Sequence, residues 1–92
     1  MRIERTSQFK RDYKRESKWV HRTILDVALG EVLNVLIKNQ PLDEKYQDHP
    51  LSGQWSDHRD CHVKPDLILI YRKPEHDVLQ LVRFGSHSEL GL

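Results

Sequence analysis

Two hydrophobic periods divide the chain. After Thr23, the residues Ile24, Leu25, Ala28, Leu29, Val32, Leu33, Leu36 and Ile37 recur at helical spacing, which predicts a core helix running to about Asn39. From Leu67 the pattern changes. "LILIYR" and "VLQLVRFG" are β-rich apolar runs, too short for ordinary helices, and predict two strands. Ahead of them, Ser56 to Val63 can run extended. Alternation then places His58, Asp60 and His62 on one face and Arg59, Cys61 and Val63 on the other, the latter favouring burial. At the N-terminus Ile3 suits an edge strand, and Thr6 or Ser7 can cap a helix whose Phe9 and Tyr13, at i and i+4, form a narrow apolar stripe.

Breakers separate these segments. "NQPLDEKYQDHPLSGQW", with Pro41, Pro50 and Gly53, predicts a loop carrying His49. Lys64, Pro65 and Asp66 predict one turn and "KPEHD" another, and His87 lies in the tail just past the last strand. Gly30, inside the core helix, costs up to about 1 kcal/mol relative to alanine and suits a close backbone approach. The order is strand, two helices, three strands, an α+β arrangement with helices on one side of the sheet. Residues 1–92 suffice for one domain and one modest core.

Composition adds exclusions. With 37% apolar and 32% charged residues, the chain has no window able to cross a bilayer, and its start lacks the apolar segment of a secretory signal, so a cytoplasmic protein with no membrane partner is expected. A lone cysteine, Cys61, forms no internal disulfide. Net charge is only +1, but it is uneven: Arg2, Arg5, Lys10, Arg11, Lys14, Arg15, Lys18 and Arg22 stand against Glu4, Asp12 and Glu16. Such a run is either a solvated helix face or a patch that meets phosphates or an acidic partner.

The candidate chemistry sits in "YQDHPLSGQWSDHRDCHVKPD", residues 46–66. A metal site is disfavoured: His58 and His62 are spaced i, i+4, but on an expected strand, with Arg59 where a zinc protease carries glutamate, and without a converging ligand set. A nucleophilic Cys61 is disfavoured by its acidic neighbours and expected burial. Acid–base cleavage of a phosphodiester fits better, because histidines with an ordinary pKa near 6.5 are roughly one quarter protonated at pH 7 and can serve as acid and as base. RNA supplies its own 2′-hydroxyl nucleophile. For each histidine separately, a plain surface role remains open.

The block from DHPL through RD, HV, PD and ILIY, with "LVRFGSHSEL" after it, closely resembles the RelE-type toxins of bacterial toxin–antitoxin pairs, in their YafQ-like branch. The resemblance covers nearly the whole chain. It implies a RelE-like fold, an N-terminal strand and two-helix hairpin packed on an antiparallel sheet of about four strands. It implies a ribonuclease that cuts mRNA in the A site of the 70S ribosome without a metal or other cofactor. Its implied partners are a DinJ- or RelB-like antitoxin that blocks the toxin and operator DNA reached only through that antitoxin. The catalytic positions carry over to His49, His62, Asp66 and His87, with Arg83 facing the phosphate and Lys64 and Arg59 on the RNA. His87 is then one proton-transfer partner and His49 or His62 the other, while Asp66 orients a histidine. His21, His58 and His76 receive no role. Leu67 and Gly91 stand where the branch has base-supporting aromatics, a loss that Trp55 is placed to offset. The alternatives are a ParE-like gyrase poison, which needs no such histidines, and a weakened toxin serving mainly in a repressor complex.

Overall fold

Side chains of a β-strand alternate between faces, and that alternation builds two unequal apolar layers. The computed structural model describes residues 1–92. The elements are β1 (Arg2–Arg5), α1 (Ser7–Glu16), α2 (Arg22–Leu36), β2 (His49–Pro50), β3 (Arg59–Lys64), β4 (Leu67–Glu75), β5 (Val78–Gly85) and α3 (His87–Leu90), with 3-10 turns at Glu44–Tyr46 and Gly53–Trp55. One five-stranded sheet has the order β1-β5-β4-β3-β2. All pairs are antiparallel except β1 with β5. The expected antiparallel sheet of about four strands is thus corrected to a mixed sheet of five. The N-terminal strand docks beside the last one, and the loop histidine His49 belongs to a two-residue edge strand.

The larger layer joins Phe9 of α1 and Leu25, Leu29, Val32 and Leu36 of α2 to Leu67, Leu69 and Tyr71 of β4 and to Leu79, Leu81 and Phe84 of β5. Burying each of these side chains contributes about 1.5–3 kcal/mol. The residues between them on β4, Ile68 and Ile70, point to the opposite face, where they meet Leu90 of α3 and partly buried Leu51, Trp55 and Val82. Helices therefore lie on both sides of the sheet. Helix α3 is set by a capping box: Ser86 accepts the Glu89 amide, the Glu89 carboxylate accepts the Ser86 amide, and Gly91 ends the helix at φ 71°.

Local departures from expectation have local causes. Helix α2 stops at Leu36 because Asn39 turns left-handed at φ 55°. Asp57, also left-handed at φ 68°, keeps residues 56–58 out of the strand, which begins at Arg59. Strand β4 runs through "KPE" because Pro74, which cannot donate to the ladder, falls in an irregularity between Arg72 and Glu75. Gly30 is exposed, with nothing within 4 Å of where a Cβ would stand, so no backbone approach explains it.

Beyond Leu81, β5 loses its β1 neighbour, and α1 takes over that edge. Thr6 Oγ1 donates to the Val82 carbonyl at 2.8 Å, the Phe84 amide donates to Asp12 Oδ2 at 3.0 Å, and Arg15 donates to the Phe84 carbonyl at 2.9 Å. Asp12 has no solvent exposure and also accepts from Arg83 Nε at 2.7 Å and Arg15 Nη1 at 2.9 Å. Burial raises the Asp12 carboxyl, but the bonds from Arg83 and the Phe84 amide outweigh it and hold the group below the usual carboxylate range.

Asp12→Asn leaves Arg83 without its carboxylate and takes one of three from Arg15, and lowers the unfolding free energy by about 1–3 kcal/mol in urea denaturation. A carboxyl depressed in the fold stabilises above its unfolded pKa, about 3.9, and that contribution disappears as pH falls through the folded value, so wild-type stability declines below about pH 4 and the Asn variant declines less. Gly30→Ala raises the unfolding free energy by up to about 1 kcal/mol, because the helix gains propensity and no atom stands in the way.

Candidate active site

Register assembles the polar residues. His49 on β2 lies directly across from Asp60 on β3, Asp60 from Ile70 on β4, and Ile70 from Arg83 on β5. The next row on the same face runs from His62 to Ile68 to Gly85. His87 opens α3 immediately beyond that row and brings its ring against His62, with centroids 5.1 Å apart and planes at 70°. Four sequence-predicted residues, His49, His62, Asp66 and His87, thus gather on the face opposite α1 and α2.

Two of the rings have one nitrogen committed. His87 Nδ1 stands 2.8 Å from Asp66 Oδ1, which also accepts the His87 backbone amide at 3.2 Å. The hydrogen bond from the ring, then that from the amide, lower the Asp66 carboxyl. Asp66 is therefore ionised at neutral pH and suited to orienting a ring. His49 Nδ1 lies 2.7 Å from the Gln47 carbonyl and 3.2 Å from Asp60 Oδ1. Both neighbours accept only, so this nitrogen carries hydrogen. In each ring Nε2 is left free for chemistry, and both side chains are about half exposed, at 50% and 45%.

The cations divide. Arg83 faces the histidine side because the β4–β5 register slips between Ile70 and Tyr71. Leu79 and Leu81 enter the main core, then Phe84 does so out of phase, and Arg83 opposes Ile70. Its guanidinium is nonetheless engaged with Asp12 through Nε and one terminal nitrogen. Its charge is thus shared with Asp12. Lys64 and Lys45 border a cleft of about 450 Å³ at the end of β3, walled also by Ala28 and Glu31 of α2 and reaching His62. Arg59 is not brought to the histidines: it points to the helix side and pairs with Asp48 at 3.1 Å, beside the Tyr71 hydroxyl, which donates to Asp48 at 2.5 Å.

Other expectations resolve individually. Leu67 is buried in the helix-side core and faces no base. Gly91 occupies a left-handed helix end, a conformation that side chains disfavour. Trp55 packs a loop onto Ile68 and Ile70, with its indole nitrogen buried and unpaired. His58 stacks edge-on to Trp55 at 5.4 Å, His76 lies in the β4–β5 turn, and His21 caps α2 by accepting the Thr23 amide. Cys61 is fully buried, and burial, followed by Asp48 and Asp60, pushes its thiol far up.

Two residues escaped sequence reasoning. Asp12 looked like one acid among eight bases, and nothing in its spacing marks it as buried. Asp60 shares the face of His62, and its alternation with buried Cys61 was the available signal.

The family model described as "Bacterial toxin of type II toxin-antitoxin system, YafQ" matches residues 1–91. The chain belongs to the YafQ family of bacterial type II toxins. An Escherichia coli relative named mRNA interferase toxin YafQ is 37% identical over 90 residues, spanning 96% of this chain and 97% of its own length. A copper-bound mutant toxin from Helicobacter pylori superposes with TM-score 0.87 at 39% identity, covering 98% of each chain. YafQ in the E. coli DinJ-YafQ complex superposes with TM-score 0.80 at 38% identity, again covering 98% of each chain. In the YafQ-family chain described here, no three His, Cys, Asp or Glu side chains come together as a group able to hold a metal.

The buried thiol gives a direct check. In the folded protein at pH 8, Cys61 reacts with a disulfide reagent at least about 100-fold more slowly than in urea, because the reactive thiolate is absent from the apolar interior. Native reactivity equal to the unfolded rate would return the cysteine to the list of candidate nucleophiles.

Proposed function

We propose that this YafQ-family toxin is a ribosome-dependent endoribonuclease that cleaves mRNA in the A site, held in check by a DinJ-like antitoxin. The observation that carries this reading is the gathering of His49, His62 and the His87–Asp66 pair on one face, with the outer nitrogens of His49 and His87 free. The name of the E. coli relative, an mRNA interferase toxin, supports the same chemistry. The DinJ-YafQ complex supports an antitoxin of that kind.

RNA needs little else. A base accepts the 2′-hydroxyl proton, the 2′-oxygen attacks phosphorus, the bond to the 5′-oxygen breaks, and an acid protonates that oxygen. The products are a 2′,3′-cyclic phosphate and a 5′-hydroxyl. His49 is assigned as base through Nε2, with His62 next to it on the same face. His87 is assigned as acid, since Asp66 holds its Nδ1 and turns Nε2 outward as the nitrogen available to give a proton. Arg83, fixed by Asp12, is assigned to the phosphate as an aimed donor, and Lys64 to the flanking backbone. Arg59 serves this site only indirectly, by tying Asp48 and hence the start of β2 to β3. The exposed Lys10, Arg11, Lys14 and Lys18 are assigned to ribosomal RNA, whereas Arg15 is occupied with Asp12, Glu16 and Glu89.

Mapping 5′ ends on a translated message, with and without ribosomes, tests the assignment. The expected result is in-frame cuts that require ribosomes and fall about 100-fold or more in His87→Ala, while antitoxin binding and melting temperature are retained. Equal cleavage of naked RNA would remove the ribosome from the mechanism. Intact messages accompanied by DNA breaks would replace the reading with gyrase poisoning.

A further inference from the structure

Asp60 has no task in the scheme above, yet it is the most deeply buried polar residue on the histidine face. It is 4% exposed, and its Oδ1 is buried without a hydrogen bond. The same oxygen lies 3.2 Å from His49 Nδ1, whose hydrogen is directed at the Gln47 carbonyl instead. A buried acceptor lacking a donor destabilises the fold. Around the carboxylate stand His49 from β2, His62 from β3, His87 from α3 and, with opposite effect, Asp48. Burial raises the Asp60 carboxyl, and positive charge on the three imidazoles offsets only part of that rise. The group is thus poorly satisfied while the rings are neutral and better satisfied when one is charged.

We propose that Asp60 is a positioning residue for RNA cleavage, the buried counter-charge for the imidazolium that forms on His49 when Nε2 takes the 2′-hydroxyl proton. This rests on the acid–base reading above and adds a role to it. In the step, the O2′–H bond breaks and N–H forms at His49. The freed electron pair makes the O2′–P bond as P–O5′ breaks, and O5′ takes its proton from His87. Asp60 exchanges no proton. It faces a neutral ring before transfer and a cation at 3.2 Å afterwards, so its contribution grows along the reaction coordinate, which is the condition for accelerating it. The Gln47 carbonyl separately fixes the ring tautomer, so loss of the Asp60 charge weakens the base without turning it over.

Asp60→Asn in the full-length chain tests this, read in two ways. The first is ribosome-bound mRNA cleavage across pH. The expected result is a fall in kcat of about 10- to 100-fold, one to two pH units of lost proton affinity, with KM for ribosomes unchanged and the acid limb of the profile moved to lower pH. The second is independent of activity: NMR titration of the His49 ring, whose midpoint moves to lower pH in the variant, while Asp60→Glu restores part of the shift. An unmoved His49 titration overturns the proposal, whether or not activity falls, since activity loss alone would then be structural. Full activity in Asp60→Asn also overturns it. If Asp60→Asn does not fold, the wild-type Asp60 carboxyl carbon is followed instead. A step in its shift at the His49 midpoint supports the contact, and its absence overturns it. A wild-type protein without ribonuclease activity defeats the proposed function, and the titration still decides whether the Asp60–His49 contact exists.

Discussion

A carboxylate without access to water, Asp12, is the interaction on which the histidine face depends. The last strand has a free edge after Leu81, and an open edge there would leave the Phe84 amide and carbonyl unpaired in a buried setting. Helix α1 supplies the missing partners from side chains, the amide bonding to Asp12 and the carbonyl to Arg15. Arg15 then reaches Glu89 at 2.9 Å, and Glu89 closes the capping box that starts α3. Gly85 is the residue over which the Arg15 guanidinium passes, where a Cβ would stand 2.6 Å from Arg15 Nη2. The position of His87 is therefore set from the N-terminal helix, through Asp12, Arg15 and Glu89.

This linkage explains which parts of the fold were legible in the chain. Helix α2 and strands β4 and β5 bury whole faces, so their periods of 3.6 and 2 are written in the residues themselves. The short elements owe their existence to partners. His49 and Pro50 form a strand only because β3 lies beside them, and β1 is parallel to β5 through a contact spanning most of the chain. Helix α3, at four residues, is too short to show a period, although Ser86, Glu89 and Gly91 carried its capping signals. Gly30 invited a packing explanation that its open surroundings do not support.

The site was legible to a different degree. The residues the resemblance picked out, His49, His62, Asp66 and His87, lie near one another in the structure, and strand alternation already separated His62 from Arg59. Alternation alone does not deliver Arg83 to that face. The register slip at Val82 does, and a bulge has no reliable signature when each neighbouring residue suits a strand. The same slip puts Phe84 into the main core, so packing of the core and aim of the arginine are one event.

Asp12 and Asp60 show why burial of an acid cannot be interpreted without its donors. Both are almost inaccessible to water, and burial pushes both carboxyls upward. Around Asp12, Arg83, Arg15 and the Phe84 amide reverse the push, and the group stabilises the fold at neutral pH. Around Asp60 only imidazoles are available, and a neutral imidazole supplies no charge. Above its raised pKa, Asp60 therefore opposes folding, and protonation of a ring lessens that cost. One aspartate completes an edge of the sheet, and the other holds an unmet demand for positive charge beneath the residues assigned to move protons. In the proposed cleavage, an imidazolium forming on His49 would meet part of that demand, so stability forgone in the resting protein would be spent on the charged ring.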